Sequence, residues 1–427
     1  AAAVGTSSRL SLAAVLTRRV LQTQRLLIEC FLALGVIFFS LAIPFALDAR
    51  WTAAFWAVEG AAVVWVGVRQ QRRLARAFGL LLQVGGLFAF LAHLQNQMPQ
   101  LWPVLNADFV GAVVLAAAAL WTSRKLHVQN LSRAAQQRSG YEYFESFCAT
   151  VLFLYGFAWW IGALVLELSR QVPAEGGWVS VIAASDRLFP LMAGFVLSAS
   201  LAAAVGARKS WPVATWPALA SVPVMLLVAF IGAVEFRHVF THWGALCWPV
   251  ALVAHAWGLR RVDSVAGDEP QTRWVAVHAL GAMLLCVLAV NGTKFVIDAA
   301  QLWRTSWGPS AALVAAATVL SLIRVGAFSS RWAPHWPMHR YARAYGWYGL
   351  LPVVVLTAWG ALWLTLTQSG KATPLPHVPL INPVDLAYLL ALWALWRWRE
   401  DVVAQRAVAP PWPLPEFLCD PRVAVVA

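Results

Sequence analysis

The sequence predicts an all-α fold: a polytopic membrane bundle of about twelve transmembrane helices arranged in six hairpins. Three observations predict it. Of the 427 residues, 60% are hydrophobic and only 12% are charged, whereas a soluble domain carries about 25% charged residues. Apolar runs of about 20 residues, the length that crosses a bilayer, recur along the chain. The basic residues concentrate in every second connection between these runs. A soluble enzyme and a disordered chain are therefore excluded.

Twelve apolar runs are long enough to be spanning helices. The sixth, the eighth and the last are the weakest of them. The predicted helices cover residues 26–47, 51–68, 77–95, 104–122, 144–168, 188–206, 213–234, 241–259, 273–293, 308–326, 345–367 and 383–398.

The basic residues test this set of helices independently, because short cytoplasmic loops of membrane proteins are rich in Lys and Arg. With the N-terminus placed in the cytoplasm, 25 of the 32 Lys and Arg residues fall in cytoplasmic segments. The seven on the other side are Arg50, Arg170, Arg187, Arg237, Lys294, Arg304 and Lys371. This division predicts an even number of spans with both termini cytoplasmic. It also accounts for the net charge of +13 without a nucleic-acid partner.

Three hairpins that close on the outer side carry polar residues where the returning helix begins. They are Asn106 with Asp108, Ser185 with Asp186, and Asn382 with Asp385. Asn, Asp and Ser accept hydrogen bonds from the free N–H groups of a first helical turn, and a negative charge suits the positive end of the helix dipole. Helix capping is the favoured role, and an outer-side polar site that also includes Asp48 and Arg50 is the alternative.

Three sequence landmarks recur in one order. Leu47-Asp48-Ala49 resembles Ile297-Asp298-Ala299, the segment 74–79 resembles 341–346, and Pro103-Val-Leu-Asn106 resembles Pro379-Leu-Ile-Asn382. They predict that helices 1–4 and 9–12 are parallel copies of one four-helix unit, with chance similarity as the alternative. The predicted organisation is a cytoplasmic basic segment (1–25), a first four-helix repeat (26–125), a central four-helix region (126–272), a second four-helix repeat (273–400) and a cytoplasmic Pro-rich tail (401–427).

The sequence predicts no cofactor, no metal and no catalytic residue. The five cysteines are scattered and have no CxxC spacing. The chain also lacks a phosphate-binding P-loop, HExxH, GxSxG and DxD. Enzymatic activity stays uncertain on this evidence. The expected partners are the lipid bilayer and, in addition, a bound lipid or partner membrane helices.

Glu59 lies halfway along the second predicted helix, with no basic residue within seven positions. A charge at the bilayer centre costs about 2.5–3.5 kcal/mol, so such a residue usually faces protein or water. We expect Glu59 to face the bundle interior next to Gly60, with Trp56 and Val63 on the same helix face. Two roles are open for Glu59. It could relay a proton or bind a cation or a polar substrate, or it could form a hydrogen bond between helices.

A second polar group comprises Asn291-Gly292-Thr293-Lys294 and Asp298. An Asn-Gly pair can interrupt a helix, and residues four apart, such as Lys294 and Asp298, can pair on one helix face. An interrupted helix with an ion pair would line a cavity. The alternative is an ordinary outer helix end with an extended lysine and a local salt bridge.

The first helices resemble a known family. The residues that carry the resemblance are the run from Phe38 to Ala62 (FFSLAIPFALDARWTAAFWAVEGAA), Arg69-Gln-Gln-Arg-Arg73, and Leu380-Ile-Asn382-Pro383-Val-Asp385-Leu386. They are similar to the bacterial multi-pass membrane proteins called domain of unknown function 2339. The resemblance implies a bacterial inner membrane. It also implies that this chain is a C-terminal portion, because members of the family are usually longer. It supplies no catalytic residues.

Three function classes follow, and each predicts a different structure. Transport or handling of a lipid or envelope-related substrate ranks first, and a transporter predicts a continuous polar path. A scaffold for envelope machinery ranks second and predicts an exposed apolar groove filled by lipid or partner helices. An intramembrane enzyme acting on a lipid-linked substrate ranks third. It predicts a cavity in which Glu59 or Asp298 meets His and Arg.

Overall fold

The computed structural model of the chain is helical throughout the part that it describes. The described residues are 27, 31, 34–47, 49–94, 102–132, 140–172, 185–265, 271–329, 331, 332, 334–369, 373, 376 and 378–404. Within them are twelve α-helices and no β-strand. The predicted basic segment 1–25 and residues 405–427 of the predicted tail (401–427) lie outside the described residues.

The twelve helices follow the predicted ones in order. They are α1 (Leu34–Ala46), α2 (Ala49–Arg69), α3 (Arg73–Leu94), α4 (Ala107–Ser132), α5 (Gly140–Gln171), α6 (Ser185–Arg208), α7 (Trp216–Glu235), α8 (Gly244–Asp263), α9 (Thr272–Ala299), α10 (Trp307–Phe328), α11 (Met338–Thr367) and α12 (Pro383–Val403). Short 3₁₀ segments, Pro212–Thr215 and Leu302–Arg304, precede α7 and α10.

Nine of these helices are long and apolar enough to cross a membrane. The prediction of an all-α, polytopic membrane bundle is therefore confirmed. Among the described helices the other three are α1, α8 and α12: α1 is short, α8 ends in Arg260, Arg261 and Asp263, and α12 carries charged residues in its last turns. Twelve spans and an internal repeat remain predictions.

The chain divides into two compact units, residues 1–167 and 168–427. In the first unit α2 packs against both α3 and α4. The contact between α2 and α3 is close because two glycines face each other: a Cβ on Gly60 would lie 2.5 Å from the carbonyl oxygen of Gly79. The expected role of Gly60 in close helix approach is thus confirmed.

In the second unit α6 and α8 pack side by side and run in the same direction. Near their beginnings, a Cβ on Gly244 would lie 3.1 Å from the Phe189 ring, and near their ends a Cβ on Gly258 would lie 2.8 Å from Ser200. The small residues let the two backbones approach closely. The fully buried Trp248 side chain fills the core beside them.

Helix α11 is irregular at its beginning. Tyr341 has non-helical torsion angles (φ −115°, ψ 30°), and Ala344–Gly349 is π-helical. Gly349 lies against α9, where an added Cβ would be 2.7 Å from the Ala282 side chain. π-helical turns often accompany functional sites. The irregular turn presents several polar side chains to the end of α8.

Candidate functional site

Glu59 on α2 accepts a hydrogen bond from Ser40 on α1. The Ser40 Oγ lies 2.5 Å from Glu59 Oε1, and the Ser40 carbonyl oxygen accepts a hydrogen bond of 2.9 Å from Trp56 Nε1. Glu59 and Trp56 thus share a helix face, as expected. The second carboxylate oxygen, Oε2, is buried without a hydrogen-bond partner among the described residues. This geometry corresponds to the hydrogen bond between helices that was one of the two open roles.

Asn291 on α9 holds the turn between α7 and α8. Its Oδ1 accepts a hydrogen bond of 3.0 Å from Val239 N, and its Nδ2 donates one of 3.0 Å to Arg237 O. Helix α9 runs without a break from Thr272 to Ala299, so the predicted interruption at Asn291-Gly292 is wrong. The Asn291 side chain bonds to the neighbouring turn rather than to its own backbone. A glycine inside a helix costs only about 1 kcal/mol.

His238 belongs to the same turn and stacks on Phe295 of α9, with ring centroids 4.0 Å apart. Burial lowers the pKa of His238 below its ordinary value of 6.5. The imidazole is therefore neutral near pH 7 and acts as an aromatic packing partner rather than as a cation.

Lys294 and Asp298 do not form the predicted ion pair, although both residues are in the described part of α9. The Lys294 side chain is exposed. Asp298 Oδ1 instead accepts a hydrogen bond from Trp303 Nε1 in the following 3₁₀ segment. The carboxylate thus closes the end of α9 locally.

The predicted capping role of Asn106 is confirmed. Its Oδ1 accepts a hydrogen bond of 2.8 Å from Phe109 N in the first turn of α4, and Asp108 in the same turn is completely buried. Of the other outer-side candidates, Asp48 and the side chain of Arg50 lie outside the described residues.

Asn382 caps α12 in the same manner. Its Oδ1 accepts hydrogen bonds from Val384 N (3.0 Å) and Asp385 N (2.9 Å). Asp385 in turn accepts hydrogen bonds from Asn382 Nδ2 (2.5 Å) and Leu380 N (2.9 Å). The two residues therefore form a closed local network at the beginning of the helix, as capping predicts.

Sequence reasoning missed a carboxylate that joins several structural elements. Asp263, the last residue of α8, is buried. Its Oδ1 accepts a hydrogen bond of 2.6 Å from Tyr341 OH, and its Oδ2 accepts one of 2.7 Å from Trp336 Nε1. The Asp263 carbonyl oxygen accepts a further hydrogen bond of 3.0 Å from Arg340 Nη1. These donors come from the connection between α10 and α11 and from the irregular beginning of α11.

His278 of α9 completes this cluster. It is 1% exposed, its Nδ1 lies 2.9 Å from Tyr345 OH, and its Nε2 lies 3.8 Å from Asp263 Oδ2. Its ring stacks on Tyr341 with a centroid separation of 3.8 Å. These contacts are those of a structural histidine. The cluster locks the ends of α8, α9 and α11 together.

Two buried ion pairs fix helix ends, one within each unit. Arg76 of α3 pairs with Glu145 of α5, and both side chains are fully buried. Arg324 of α10 pairs with Asp401 of α12 at 2.5 Å. Breaking such a pair costs about 3–5 kcal/mol, because a charge is left uncompensated. These residues are therefore bound to one another rather than available to a ligand.

An apolar groove with a volume of about 670 Å³ lies between α6 and α8. We call it the α6–α8 groove. Its lining residues are Leu197, Ser198, Ser200 and Leu201 of α6 and Pro249, Val250, Val253, Ala254 and Trp257 of α8. Ser200 Oγ is buried and has no hydrogen-bond partner among the described residues. The groove is open along one side.

A family model described as Predicted membrane protein (DUF2339) matches residues 1–426. The chain belongs to this family. The predicted family resemblance is therefore confirmed over nearly the whole chain. No curated protein and no solved structure matches the chain. The family description states membrane location and no activity, so the function of this DUF2339 protein must be inferred from its structure.

The features of this DUF2339 protein that the sequence did not reveal depend on tertiary contacts. Asp263 lies 78 residues from its partner Tyr341, and no short motif connects them. The available signal was an acidic residue two positions after Arg260-Arg261, at the end of an apolar run. The α6–α8 groove borders the point where Gly258 of α8 lies close to Ser200 of α6, and no sequence pattern indicated that approach.

The polar groups of the DUF2339 chain mostly bind one another. An intramembrane enzyme was predicted to bring Glu59 or Asp298 together with His and Arg. Within the described residues neither carboxylate pairs with a histidine or an arginine. Asn291, Asp263 and Asn382 hold turns and helix ends. The α6–α8 groove differs from them because its surface is available to a molecule from outside the chain.

Proposed function

We propose that this protein handles membrane lipid and that the α6–α8 groove binds a lipid acyl chain. The observation that carries the proposal is an open groove with almost entirely apolar walls in a polytopic membrane protein. The groove volume of about 670 Å³ lies within the roughly 300–1,000 Å³ of small-molecule sites. From Pro249 to Trp257 the groove extends about 12 Å along α8 at about 1.5 Å per residue. The hydrocarbon of one leaflet is about 15 Å thick, so the groove extends across most of one leaflet.

A partner helix suits the groove less well than a lipid chain. A helix with its side chains is about 10–12 Å wide, so it would lie over the open groove rather than within it. An acyl chain is narrower and flexible. An apolar groove filled by lipid or partner helices was the feature expected of a scaffold. Because an acyl chain fits within this groove and a helix does not, lipid handling is favoured over the scaffold function.

The proposal includes the placement of the protein in the bacterial inner membrane with both termini cytoplasmic. The support is the 25-to-7 division of basic residues. Single cysteines at Arg72 and Thr241, in a background without the five native cysteines, test this orientation with an impermeant thiol reagent. Labelling of the two positions from opposite sides is expected, and labelling from the same side contradicts the orientation.

Photocrosslinking tests the groove directly. The full chain is reconstituted in phosphatidylethanolamine vesicles that contain phosphatidylethanolamine with a diazirine on one acyl chain. After illumination, crosslinked peptides are mapped by mass spectrometry. We expect crosslinks concentrated on residues 197–201 and 249–257. Val253→Trp places a large ring in the groove and is expected to lower this labelling several-fold.

Leu322→Trp is the matched control, because Leu322 of α10 is 69% exposed, Val253 is 70% exposed, and Leu322 does not line the α6–α8 groove. Its labelling pattern should equal that of the unmodified protein. Uniform labelling of all exposed helix faces, unchanged by Val253→Trp, would show that the groove holds no lipid.

A substitution at Glu59 distinguishes lipid handling from polar-substrate transport. The Ser40–Glu59 hydrogen bond joins two helices, and a glutamine at position 59 can also accept it. We therefore expect Glu59→Gln to keep both the fold and the lipid crosslinks. A variant that folds normally and loses every lipid-dependent activity would instead assign Glu59 to a proton or cation site.

A further inference from the structure

One end of the α6–α8 groove carries four exposed cations. Arg208 ends α6 and Lys209 follows it, while Arg260 and Arg261 lie in the last turn of α8. In the described part of the chain none of the four has a carboxylate partner. Because α6 and α8 run in the same direction, these cations lie at the same end of the groove.

The levels of the polar groups along the groove match the parts of a phospholipid. Ser200 lies opposite Gly258, and Arg261 follows Gly258 by three residues, about 4.5 Å along the helix axis. The Arg261 guanidinium carbon lies 5.8 Å from the centre of the Trp257 ring, and that ring lines the groove. Along the groove, a cationic end is therefore followed by apolar walls.

We propose that the α6–α8 groove binds an anionic phospholipid. Its phosphate lies among Arg208, Lys209, Arg260 and Arg261, where charge-assisted hydrogen bonds are strong. An acyl chain follows the apolar walls of the groove. Basic pockets between transmembrane helices are a known form of anionic headgroup site. This inference rests on the proposed lipid-handling function and adds the class of headgroup.

Two other pairs of a cation and a tryptophan provide matched controls for these cations. Arg69 of α2 lies 5.9 Å from the Trp65 ring and Lys125 of α4 lies 5.2 Å from the Trp121 ring. In both pairs the cation is four residues after the tryptophan, as in Trp257 and Arg261. The three rings are 40%, 41% and 42% exposed. Trp65 and Trp121 do not line the α6–α8 groove.

The experiment compares two photoreactive lipids in one membrane. The full chain is reconstituted in vesicles of equal amounts of phosphatidylethanolamine and phosphatidylglycerol, with a trace of either lipid carrying an acyl-chain diazirine. We expect phosphatidylglycerol to label residues 197–201 and 249–257 about tenfold more than phosphatidylethanolamine. Each cation near a membrane surface changes anionic-lipid affinity about fivefold. Arg208→Gln with Arg261→Gln should therefore abolish this preference, whereas Arg69→Gln with Lys125→Gln should preserve it.

Salt dependence provides a measurement without substitutions. Raising the salt concentration from about 0.05 M to 0.5 M shortens the screening length several-fold, and it should reduce groove labelling by phosphatidylglycerol but not by phosphatidylethanolamine. Equal labelling by both lipids in the unmodified protein would overturn the anionic site and leave lipid handling intact. Equal losses in the two double variants would also overturn it, since bulk surface charge would then explain the preference. Absence of groove labelling by either lipid would overturn the proposed function itself.

Discussion

Two turns with similar sequences reach the same local geometry. They are Pro103-Val-Leu-Asn106 before α4 and Pro379-Leu-Ile-Asn382 before α12. In each, the residue after proline has a positive φ, 62° at Val104 and 69° at Leu380. Its N–H donates to a carboxylate, and the asparagine caps the next helix while its amide donates to that same carboxylate. The agreement supports the proposed four-helix repeat.

The two turns differ in the source of the carboxylate. In the second turn it is Asp385, five residues after Leu380. In the first turn it is Glu167 of α5, which is 63 residues from Val104, and Phe109 occupies the position that corresponds to Asp385. One turn is therefore complete within its own segment, whereas the other is completed by a distant helix. A substitution in the first turn should therefore change the stability of the first unit as a whole. A substitution in the second turn should change stability only locally.

The largest expected effect is that of Glu167→Ala. It removes the acceptor of Val104 N and of Asn106 Nδ2, at distances of 2.8 and 2.6 Å. Glu167 is 9% exposed, Asn106 Nδ2 would keep only its longer contact of 3.4 Å with Trp102 O, and a buried donor that loses its acceptor costs about 1–3 kcal/mol. We expect the free energy of unfolding in mixed micelles to fall by about 3 kcal/mol. Hydrogen exchange should increase at the beginning of α4 as well as around residue 167.

Glu167→Gln is the matched variant, because the glutamine oxygen can still accept one of the two hydrogen bonds. It should lose about half as much stability as Glu167→Ala. If both variants matched the unmodified protein in unfolding and exchange, the distant carboxylate would have no part in holding the first turn.

The next largest effects are expected for alanine substitutions at the two capping asparagines, Asn106 and Asn382. Loss of a helix cap costs about 1 kcal/mol, and both side chains are buried. Asn106→Ala also breaks the contact with Glu167 and should cost about 2 kcal/mol. Asn382→Ala should cost about 1 kcal/mol, because Asp385 remains near solvent and can exchange its partner for water. Equal costs for the two variants would show that the distant carboxylate adds nothing to the first cap.

These two turns also show how far the sequence could predict this molecule. The caps at Asn106 and Asn382 were predictable because capping depends on neighbours along the chain. Glu167 was not, since its role requires α5 to lie beside the beginning of α4. The interruption predicted at Asn291-Gly292 failed for the same reason: the partner of the Asn291 side chain is a distant turn. Helix number and order came from local hydrophobicity, whereas the groove and the Asp263 cluster depend on helix packing.

A smaller effect is expected for Asp385→Ala. The variant removes the acceptor of Leu380 N and a negative charge in the first turn of α12. Water can replace the acceptor at this partly exposed position, so we expect a loss of about 0.5–1 kcal/mol. Increased exchange should be confined to the first turn of α12. A loss as large as that of Glu167→Ala would remove the distinction between a local and a distant carboxylate.

The smallest expected effect has the opposite sign. A non-glycine residue with φ near +60° is strained, most severely when it is β-branched, as Val104 is and Leu380 is not. Glycine adopts this conformation freely but makes the unfolded chain more flexible, which offsets part of the gain. We expect Val104→Gly to stabilise the protein by about 0.5 kcal/mol and Leu380→Gly by about 0.2 kcal/mol, measured by unfolding in mixed micelles. In the Glu167→Ala background the gain at Val104 should shrink, because the carboxylate that holds the positive φ is absent. A loss of stability in both glycine variants would mean that the two turns do not share the left-handed conformation.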